Sequence, residues 1–105
     1  MKNKKEYSVS TQKILAAIKI IPSGKVDTYG NVADRAGLRN GARLVVRVLH
    51  TLSESEKLPW YRIVNKQGKI SLEGEGAILQ RNLLEIEGVI VNDDKIDLEK
   101  YGLKW

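Results

Sequence analysis

Few residues of this 105-residue chain could carry out covalent chemistry. The sequence contains no cysteine, which excludes disulfides, thiolate nucleophiles and cysteine zinc sites. Its one histidine, His50, would have to serve any Ser-His-Asp triad or histidine metal site. Carboxylates could still bind magnesium or calcium, but no EF-hand or Walker pattern is present. The sequence therefore predicts no metal and no cofactor, and it is poorly equipped for catalysis.

Cationic side chains give the first positive signal. Arg39, Arg43, Arg47 and His50 follow one another at steps of four, four and three residues, which places them on one side of a helix. Residues 1–50 hold ten Lys/Arg against three Asp/Glu, a balance of +7 within a net charge of +5. A basic half fits contact with a polyanion such as nucleic acid. A solvated helix face would give the same stripe, so charge alone leaves both interpretations open.

Two helices are predicted ahead of this stripe. Apolar residues at helical spacing predict a first helix over residues 11–21, which Ser10 or Thr11 would cap and a Pro-Ser-Gly turn would end. Thr28 is predicted to cap a short second helix that runs towards Gly37. Both helices would lie in the basic half of the chain.

The third helix carries the stripe itself. Asn40 is predicted to cap it, and a short helix, a tight turn and an arginine-striped helix are typical of a helix-turn-helix. The predicted core face of this helix consists of Ala42, Val45, Val46 and Leu49.

The second half is predicted to hold two hairpins and one helix. The hairpins would pair Arg62–Val64 with Lys69–Leu72, and Val89–Val91 with Lys95–Leu98. Between them an amphipathic helix would end at Gly88. The predicted fold class is mainly α with small β elements, a winged helix-turn-helix-like single domain over residues 1–105. The apolar residues of the amphipathic helix are Ile78, Leu79, Leu83, Leu84 and Ile86.

The location and assembly of the chain are also predicted from its composition. The longest apolar clusters fall short of a membrane span, and the N-terminus lacks a hydrophobic stretch long enough for a secretion signal. We expect a cytoplasmic monomer without membrane contact. The C-terminal segment Tyr101–Trp105 is expected to pack back onto the domain.

Four motifs occur along the chain in a fixed order. They are IPSGKVDTYG at residues 21–30, NGARLVV at 40–46, LPWYRIV at 58–64 and LLEIEG at 83–88. In order and spacing they resemble the C-terminal DNA-binding domain of O6-alkylguanine-DNA alkyltransferases, over about residues 12–90. The third motif falls where that family has its Pro-Cys-His-Arg-Val-Val active site.

The third motif also departs from the family. Trp60 stands in place of the alkyl-accepting cysteine, and Tyr61 in place of the histidine that activates it. Because an indole cannot become a thiolate, the alkyl transfer is predicted to be absent. With tryptophan at this position, the motif resembles that of the alkyltransferase-like proteins. In those proteins histidine or phenylalanine usually follows the tryptophan.

The resemblance implies recognition of damaged DNA without repair. Alkyltransferase-like proteins bind O6-alkylguanine DNA through the minor groove, rotate the damaged base into a pocket and mark it for nucleotide excision repair. The resemblance makes Arg43 the finger that fills the gap in the base stack, and Tyr29 the residue that presses on the neighbouring phosphate. The implied DNA contacts are Thr28, Tyr29, Arg39, Ala42, Arg43 and Arg47. The implied base pocket consists of Tyr29, Trp60, Tyr61, Arg62, Ser71, Leu72 and Glu73.

Several of these residues have a second interpretation. Tyr29 and Trp60 are aromatic side chains of the kind that most often belong to a core. Glu73 stands where related proteins carry tyrosine or a basic residue, and it would either accept a hydrogen bond from the guanine edge or point away. Glu87 matches the glutamate of the family's cysteine–histidine network, here without those partners, and would otherwise cap a helix or form an ion pair.

Two further classes of function stay open at this point. One is an enzyme, either a residual alkyltransferase or a base hydrolase that uses Glu87 or Glu73. The other is a sequence-specific helix-turn-helix regulator, although the sequence shows no obvious dimer interface. The leading hypothesis is a non-catalytic protein that binds DNA lesions and signals to nucleotide excision repair.

Overall fold

A computed structural model describes residues 6–104 of the chain. The described part is mainly helical with one two-stranded sheet, which confirms the predicted fold class. None of the described helices is both long and apolar enough to cross a membrane. In chain order the elements are α1 (Val9–Lys19), β1 (Asp27–Thr28), α2 (Tyr29–Arg35), α3 (Ala42–Leu52), a 3₁₀ turn (Trp60–Arg62), β2 (Ile63–Val64), α4 (Glu75–Ile86) and α5 (Leu98–Tyr101).

The first two helices begin at hydroxyl caps. The Ser8 hydroxyl accepts a hydrogen bond from the backbone N–H of Thr11 at 3.1 Å, so α1 starts and ends two residues earlier than predicted. The predicted caps Ser10 and Thr11 are therefore wrong, because Ser8 is the residue whose extended backbone aims its hydroxyl at the free N–H groups. Thr28 caps α2 as predicted and accepts from the N–H of Asn31 at 3.1 Å.

The turn into α3 differs from the prediction in its cap. Asn40 lies at φ 57° and Gly41 is the cap residue, with no side-chain hydrogen bond, so the predicted Asn40 cap is wrong. Left-handed backbone at Asn40 turns the chain sharply, and asparagine tolerates that conformation. A Cβ at Gly41 would lie 2.8 Å from the Cβ of Leu38 and 3.2 Å from that of Ala33, so glycine permits the close packing of α2 against α3.

The buried face of α3 is narrower than predicted. Val45 and Val48 are buried in the core, whereas Val46 is 44% exposed. At 100° per residue, the positions 45 and 48 share one face and position 46 turns away from it. The assignment of Val46 to the core is therefore wrong.

The strand Ile63–Val64 pairs with a distant segment and not with its neighbour. β2 runs parallel to β1, with Asp27 opposite Ile63 and Thr28 opposite Val64. The predicted hairpin with Lys69–Leu72 is wrong: residues 65–69 form a tight turn, and Lys69 at its end makes an isolated bridge to Lys95.

The second predicted hairpin is also reduced to its turn. Asn92 and Lys95 exchange backbone hydrogen bonds of 3.0 and 2.9 Å, and no strand forms on either side. Asp97 instead accepts from the N–H of Glu99 at 3.0 Å and caps α5, which ends the extended segment early. The C-terminal segment does pack back, since the N–H of Leu103 donates to the carbonyl of Val26 at 2.8 Å. Trp105 and residues 1–5 lie outside the described residues.

The core consists of two clusters that meet at the sheet. Along β2, Ile63 belongs to the cluster of α1, α2 and α3, while Val64 belongs to the cluster of α4 and the C-terminal segment. Alternation of side chains along a strand explains how adjacent residues serve different clusters. The buried carboxylate of Asp27 pairs with Arg35, which also donates to the carbonyl of Ala17, so an ion pair and a hydrogen bond join β1, α2 and α1.

Candidate nucleic-acid interface and base cavity

The cationic stripe lies on the surface. Arg39, Arg43, Arg47 and His50 are all exposed, and the three arginines run from the turn before α3 along its first half. None of the four side chains has an ion pair within residues 6–104. This face of α3 therefore presents cations that are available for phosphate or base contacts.

A cavity of about 440 Å³ opens beside the second half of α3. It brings together four of the predicted pocket residues, from α2, the 3₁₀ turn and the loop before α4: Tyr29, Trp60, Ser71 and Leu72. Its wall also contains six residues that the sequence did not single out for the pocket: Val46, Leu49, His50, Ser53, Ile63 and Gln80. The volume suits a flipped nucleobase, because sites for small ligands are concave, mostly apolar and about 300–1,000 Å³ in volume.

The mouth of the cavity is bridged by a hydrogen bond. The hydroxyl groups of Tyr29 and Ser71 lie 3.1 Å apart, although the two residues are 42 positions apart in the sequence. Tyr29 stands at the first position of α2, directly after the Thr28 cap, so the helix start fixes where its ring projects. Tyr29 also packs partly against the first core cluster, which combines the two interpretations of this residue.

Trp60 separates the cavity from a second cleft. The indole lines the cavity on one side and, on the other, an open cleft of about 670 Å³ whose wall includes Tyr61 and Arg62. Trp60 is only partly buried, so it is not a core aromatic. Tyr61 and Arg62 thus lie behind the indole, and the structure does not place them on the wall of the cavity as the predicted pocket had them.

Behind Trp60, the Glu87 carboxylate is surrounded by donors. It accepts from the Tyr61 hydroxyl at 2.7 Å, from the Arg62 Nε at 3.0 Å and from the backbone N–H of Gly24 at 3.0 Å. Arg62 donates in addition to the carbonyl of Ile21 at 2.8 Å. The second interpretation of Glu87 is confirmed: it is the C-terminal cap residue of α4 and forms an ion pair with Arg62. The Tyr61 hydroxyl takes the place of an imidazole.

The charges of this network are fixed by their surroundings. Burial by itself raises the pKa of Glu87, but hydrogen bonds from Arg62, Gly24 and Tyr61 outweigh it and lower the pKa to about 2. Burial, together with the bond to Glu87, raises the pKa of Tyr61, so its hydroxyl keeps its proton and donates. The hydrogen bond to Glu87 raises the pKa of Arg62.

Ring contacts connect the network to the indole. The rings of Trp60 and Tyr61 meet edge to face, with centroids 5.8 Å apart and planes at 90°. The guanidinium of Arg62 lies 5.3 Å from the centroid of the Tyr61 ring. Gln80, which is buried, donates from Nε2 to the carbonyls of Tyr61 and Ile63 at 3.1 Å each. The backbone on both sides of Arg62 is therefore held to α4.

The remaining predicted residues have simpler positions. Glu73 is exposed on the loop before α4, next to Gly74 at φ +63°, and is not on the cavity wall. The hydroxyl of Thr28 is used by its cap, and Ala42 begins α3 beside the exposed Arg43. Within residues 6–104 no group of three or more potential ligands could hold a metal ion.

The fold and this site place the chain in the class of small helical domains in which an arginine-bearing helix lies beside a cavity large enough for a nucleobase. Residues 10–89 match the family described as 6-O-methylguanine DNA methyltransferase, DNA binding domain, and the chain belongs to that family. The resemblance to alkyltransferase-like proteins is confirmed by relatives that cover most of the chain.

Three of these relatives illustrate the similarity. The DNA base-flipping protein of Vibrio parahaemolyticus serotype O3:K6 (strain AQ3810) is 50% identical over 93 residues, which are 88% of this chain and 91% of that protein. Alkyltransferase-like protein 1 of Schizosaccharomyces pombe is 34% identical over 99 residues, 88% of this chain and 92% of that protein. The crystal structure of S. pombe Atl1 in complex with damaged DNA containing O6-carboxymethylguanine has a TM-score of 0.84 at 31% identity, over 96% of this chain and all of that chain.

Proposed function

We propose that this protein binds duplex DNA containing O6-alkylguanine, takes the damaged base into the cavity beside α3 and leaves the alkyl group in place. One observation carries the proposal: a partly buried tryptophan, Trp60, forms a wall of a base-sized cavity in a chain without cysteine. An indole offers dispersion contact to an alkyl group and no nucleophile. Relatives named for base flipping and a neighbour bound to damaged DNA support the same function.

Binding would proceed through the minor groove with the cationic face of α3. Extruding a base costs a few kcal/mol of stacking and pairing, and alkylation that weakens the pair reduces this cost. Arg43 is long enough to enter the gap and hydrogen-bond the unpaired cytosine. Tyr29, at the cavity mouth, would exchange its bond to Ser71 for a contact with the adjacent phosphate.

The bound lesion would then pass to nucleotide excision repair. A protein that recognises the lesion but does not remove it needs a second system that cuts the strand. In this role the protein acts in the cytoplasm as a monomer that marks the site. A purified excision nuclease should therefore incise an O6-alkylguanine duplex faster when this protein is present, and an equal rate without it would contradict the handover.

The central experiment is a titration of matched duplexes. Duplexes with and without one O6-methylguanine are titrated at the same stated salt concentration, because phosphate contacts make affinity depend on salt. A Trp105→Phe background leaves Trp60 as the only tryptophan. We expect tighter binding and a larger change of Trp60 emission with the lesion duplex. Equal affinity for both duplexes would refute lesion recognition, and preference for a particular undamaged sequence would indicate a regulator.

A separate measurement tests for chemistry. After prolonged incubation with excess protein, mass spectrometry should find the O6-methylguanine unchanged and the protein without added mass. Trp60→Cys should restore little transfer, because Tyr61 hydrogen-bonds Glu87 and supplies no imidazole to form the thiolate. Rapid dealkylation by this single variant would contradict the importance of the missing base.

A further inference from the structure

His50 lies on the wall of the base cavity, although the sequence placed it only in the cationic stripe. It lies on the cavity wall in the second half of α3, together with Val46, Leu49 and Ser53. These positions, at steps of three, one and three residues, share one side of the helix. The imidazole is exposed and has no hydrogen bond to any residue of the described chain. It is therefore free to contact whatever enters the cavity.

The other cations of the region are placed differently from His50. Arg43 and Arg47 are exposed and do not lie on its wall. Arg62 is held by Glu87 and the carbonyl of Ile21, on the far side of Trp60. Among the described residues, His50 is thus the one side chain of the wall that can carry a positive charge.

Few other charges oppose a proton on His50. The remaining titratable side chain of the wall is Tyr29, on α2, and a tyrosine hydroxyl is uncharged at neutral pH. The 3₁₀ turn, β2, α4 and the loop before α4 contribute Trp60, Ile63, Gln80, Ser71 and Leu72 to the wall, none of them charged. On the same side of α3, Arg47 lies one turn before His50; Glu54 follows one turn after it and lines the second cleft.

We infer that His50 is a specificity-determining residue of the cavity: its protonated imidazole favours O6 substituents that end in a carboxylate over neutral alkyl groups. The inference rests on the proposed function and names a substrate class for the same site. A carboxylate among Trp60, Leu49 and Ile63 would be costly to desolvate without a cation beside it. A site that pairs a polar group of its ligand also rejects the ligand that lacks it.

The test compares O6-carboxymethylguanine with O6-methylguanine in one duplex, in a series from about pH 8 to about pH 5.5. The carboxylate of the lesion stays ionised there, since carboxylic acids of this kind titrate near pH 4. His50 is the only histidine, so replacing it leaves no imidazole in the protein, whereas the α-amino group, which gains a proton in this range, is the same in every variant. We expect the ratio of the two dissociation constants to shift towards the carboxymethyl lesion by about tenfold as the pH falls.

Variants at His50 and a neighbouring cation make the test specific. His50→Gln should abolish the pH dependence of the ratio, and His50→Lys should keep the carboxymethyl preference at every pH. Arg47→Gln is the matched control: it removes an exposed cation one turn away and should weaken both lesions alike, with the ratio unchanged.

Two outcomes would overturn the inference. An unchanged ratio across pH in the wild type would do so, as would a pH dependence that survives in His50→Gln. An equal gain for both lesions at low pH would assign His50 to a phosphate and not to the substituent. A wild-type protein that prefers neither lesion over plain duplex would refute the proposed function itself, and the undamaged duplex in each series keeps this failure distinct.

Discussion

The two sides of Trp60 differ in how fully their polar groups are paired. Behind the indole, Tyr61, Arg62 and Glu87 bond one another and the backbone of residues 21–24. In front of it, Ser53 and Gln80 on the cavity wall are hydrogen-bonded to backbone carbonyls, but the hydroxyl pair of Tyr29 and Ser71 is exposed and the His50 imidazole has no partner in the described chain. The comparison indicates a division of work, in which one side fixes the indole so that the other side can bind.

This division fits the proposed binding of a lesion without a nucleophile. A glutamate beside a cysteine and a histidine would assist chemistry, whereas here Glu87 receives only donors that keep their protons. The network has become a support for the cavity wall. Binding sites held by hydrogen-bonded residues behind them lose less entropy when the ligand arrives.

The largest expected effect comes from breaking the support. Glu87→Ala leaves the Arg62 guanidinium and the Tyr61 hydroxyl without their carboxylate, and the Arg62 side chain is only 16% exposed. We expect the free energy of unfolding to fall by about 3–4 kcal/mol, since an uncompensated charge remains largely buried. Urea denaturation measures this loss. Glu85→Ala, at an exposed position of α4, is the control and should change stability by less than about 0.5 kcal/mol.

The same support predicts how stability depends on pH. The pKa of Glu87 is about 2 in the folded protein against 4.5 for a free side chain, so the unfolded state binds the proton first. The stabilisation is therefore complete above pH 4.5 and is lost as the pH falls towards 2. It amounts to about 3 kcal/mol from the size of the shift. The difference between the wild type and Glu87→Gln, measured by denaturation across this range, should shrink by that amount, and a constant difference would contradict the carboxylate's role.

The division was only partly visible in the sequence. Helical periodicity predicted α1, α2, α3 and α4, and Thr28 predicted the start of α2, because these signals are local. The first hairpin was wrong, since β2 pairs with a segment 36 residues away over two residues only, and of the second hairpin only the turn forms. No local pattern records such a pairing.

The cavity residues were missed for a different reason. Val46 was assigned to the core and His50 to the surface stripe, although 46, 49, 50 and 53 form a third helical face between these two. The spacing of these positions indicated a shared face, but the sequence analysis divided the helix only into a core face and a surface face. The motif match had marked Glu87, and its new donors Tyr61 and Arg62 stand next to each other in the third motif.

A prediction of intermediate size concerns DNA contact by the exposed arginines of the cationic stripe. If Arg43 fills the gap left by the flipped base, Arg43→Ala should weaken lesion binding by about 1–3 kcal/mol, the scale of a well-placed hydrogen-bonding arginine. Arg39→Ala, at the start of the same stripe, should mainly reduce the dependence of affinity on salt. Fluorescence anisotropy with labelled duplexes at several salt concentrations separates the two. Small, equal effects from both changes would mean that the stripe is only a solvated face.

The smallest expected effect is on lesion affinity at Glu73, and it tests where the cavity side ends. This exposed carboxylate stands on the loop that follows the cavity residues Ser71 and Leu72, and it has no ion pair within the described chain. Glu73→Arg should tighten lesion binding by about threefold, because it removes repulsion from phosphates and brings a cation to the flipped base. The gain should be larger for the lesion duplex than for plain DNA, since only a flipped base comes near this loop. Glu75→Arg, two residues further on at the start of α4, is the control for general charge. If both variants improve binding to both duplexes equally, Glu73 acts only as surface charge and the cavity side ends at Leu72.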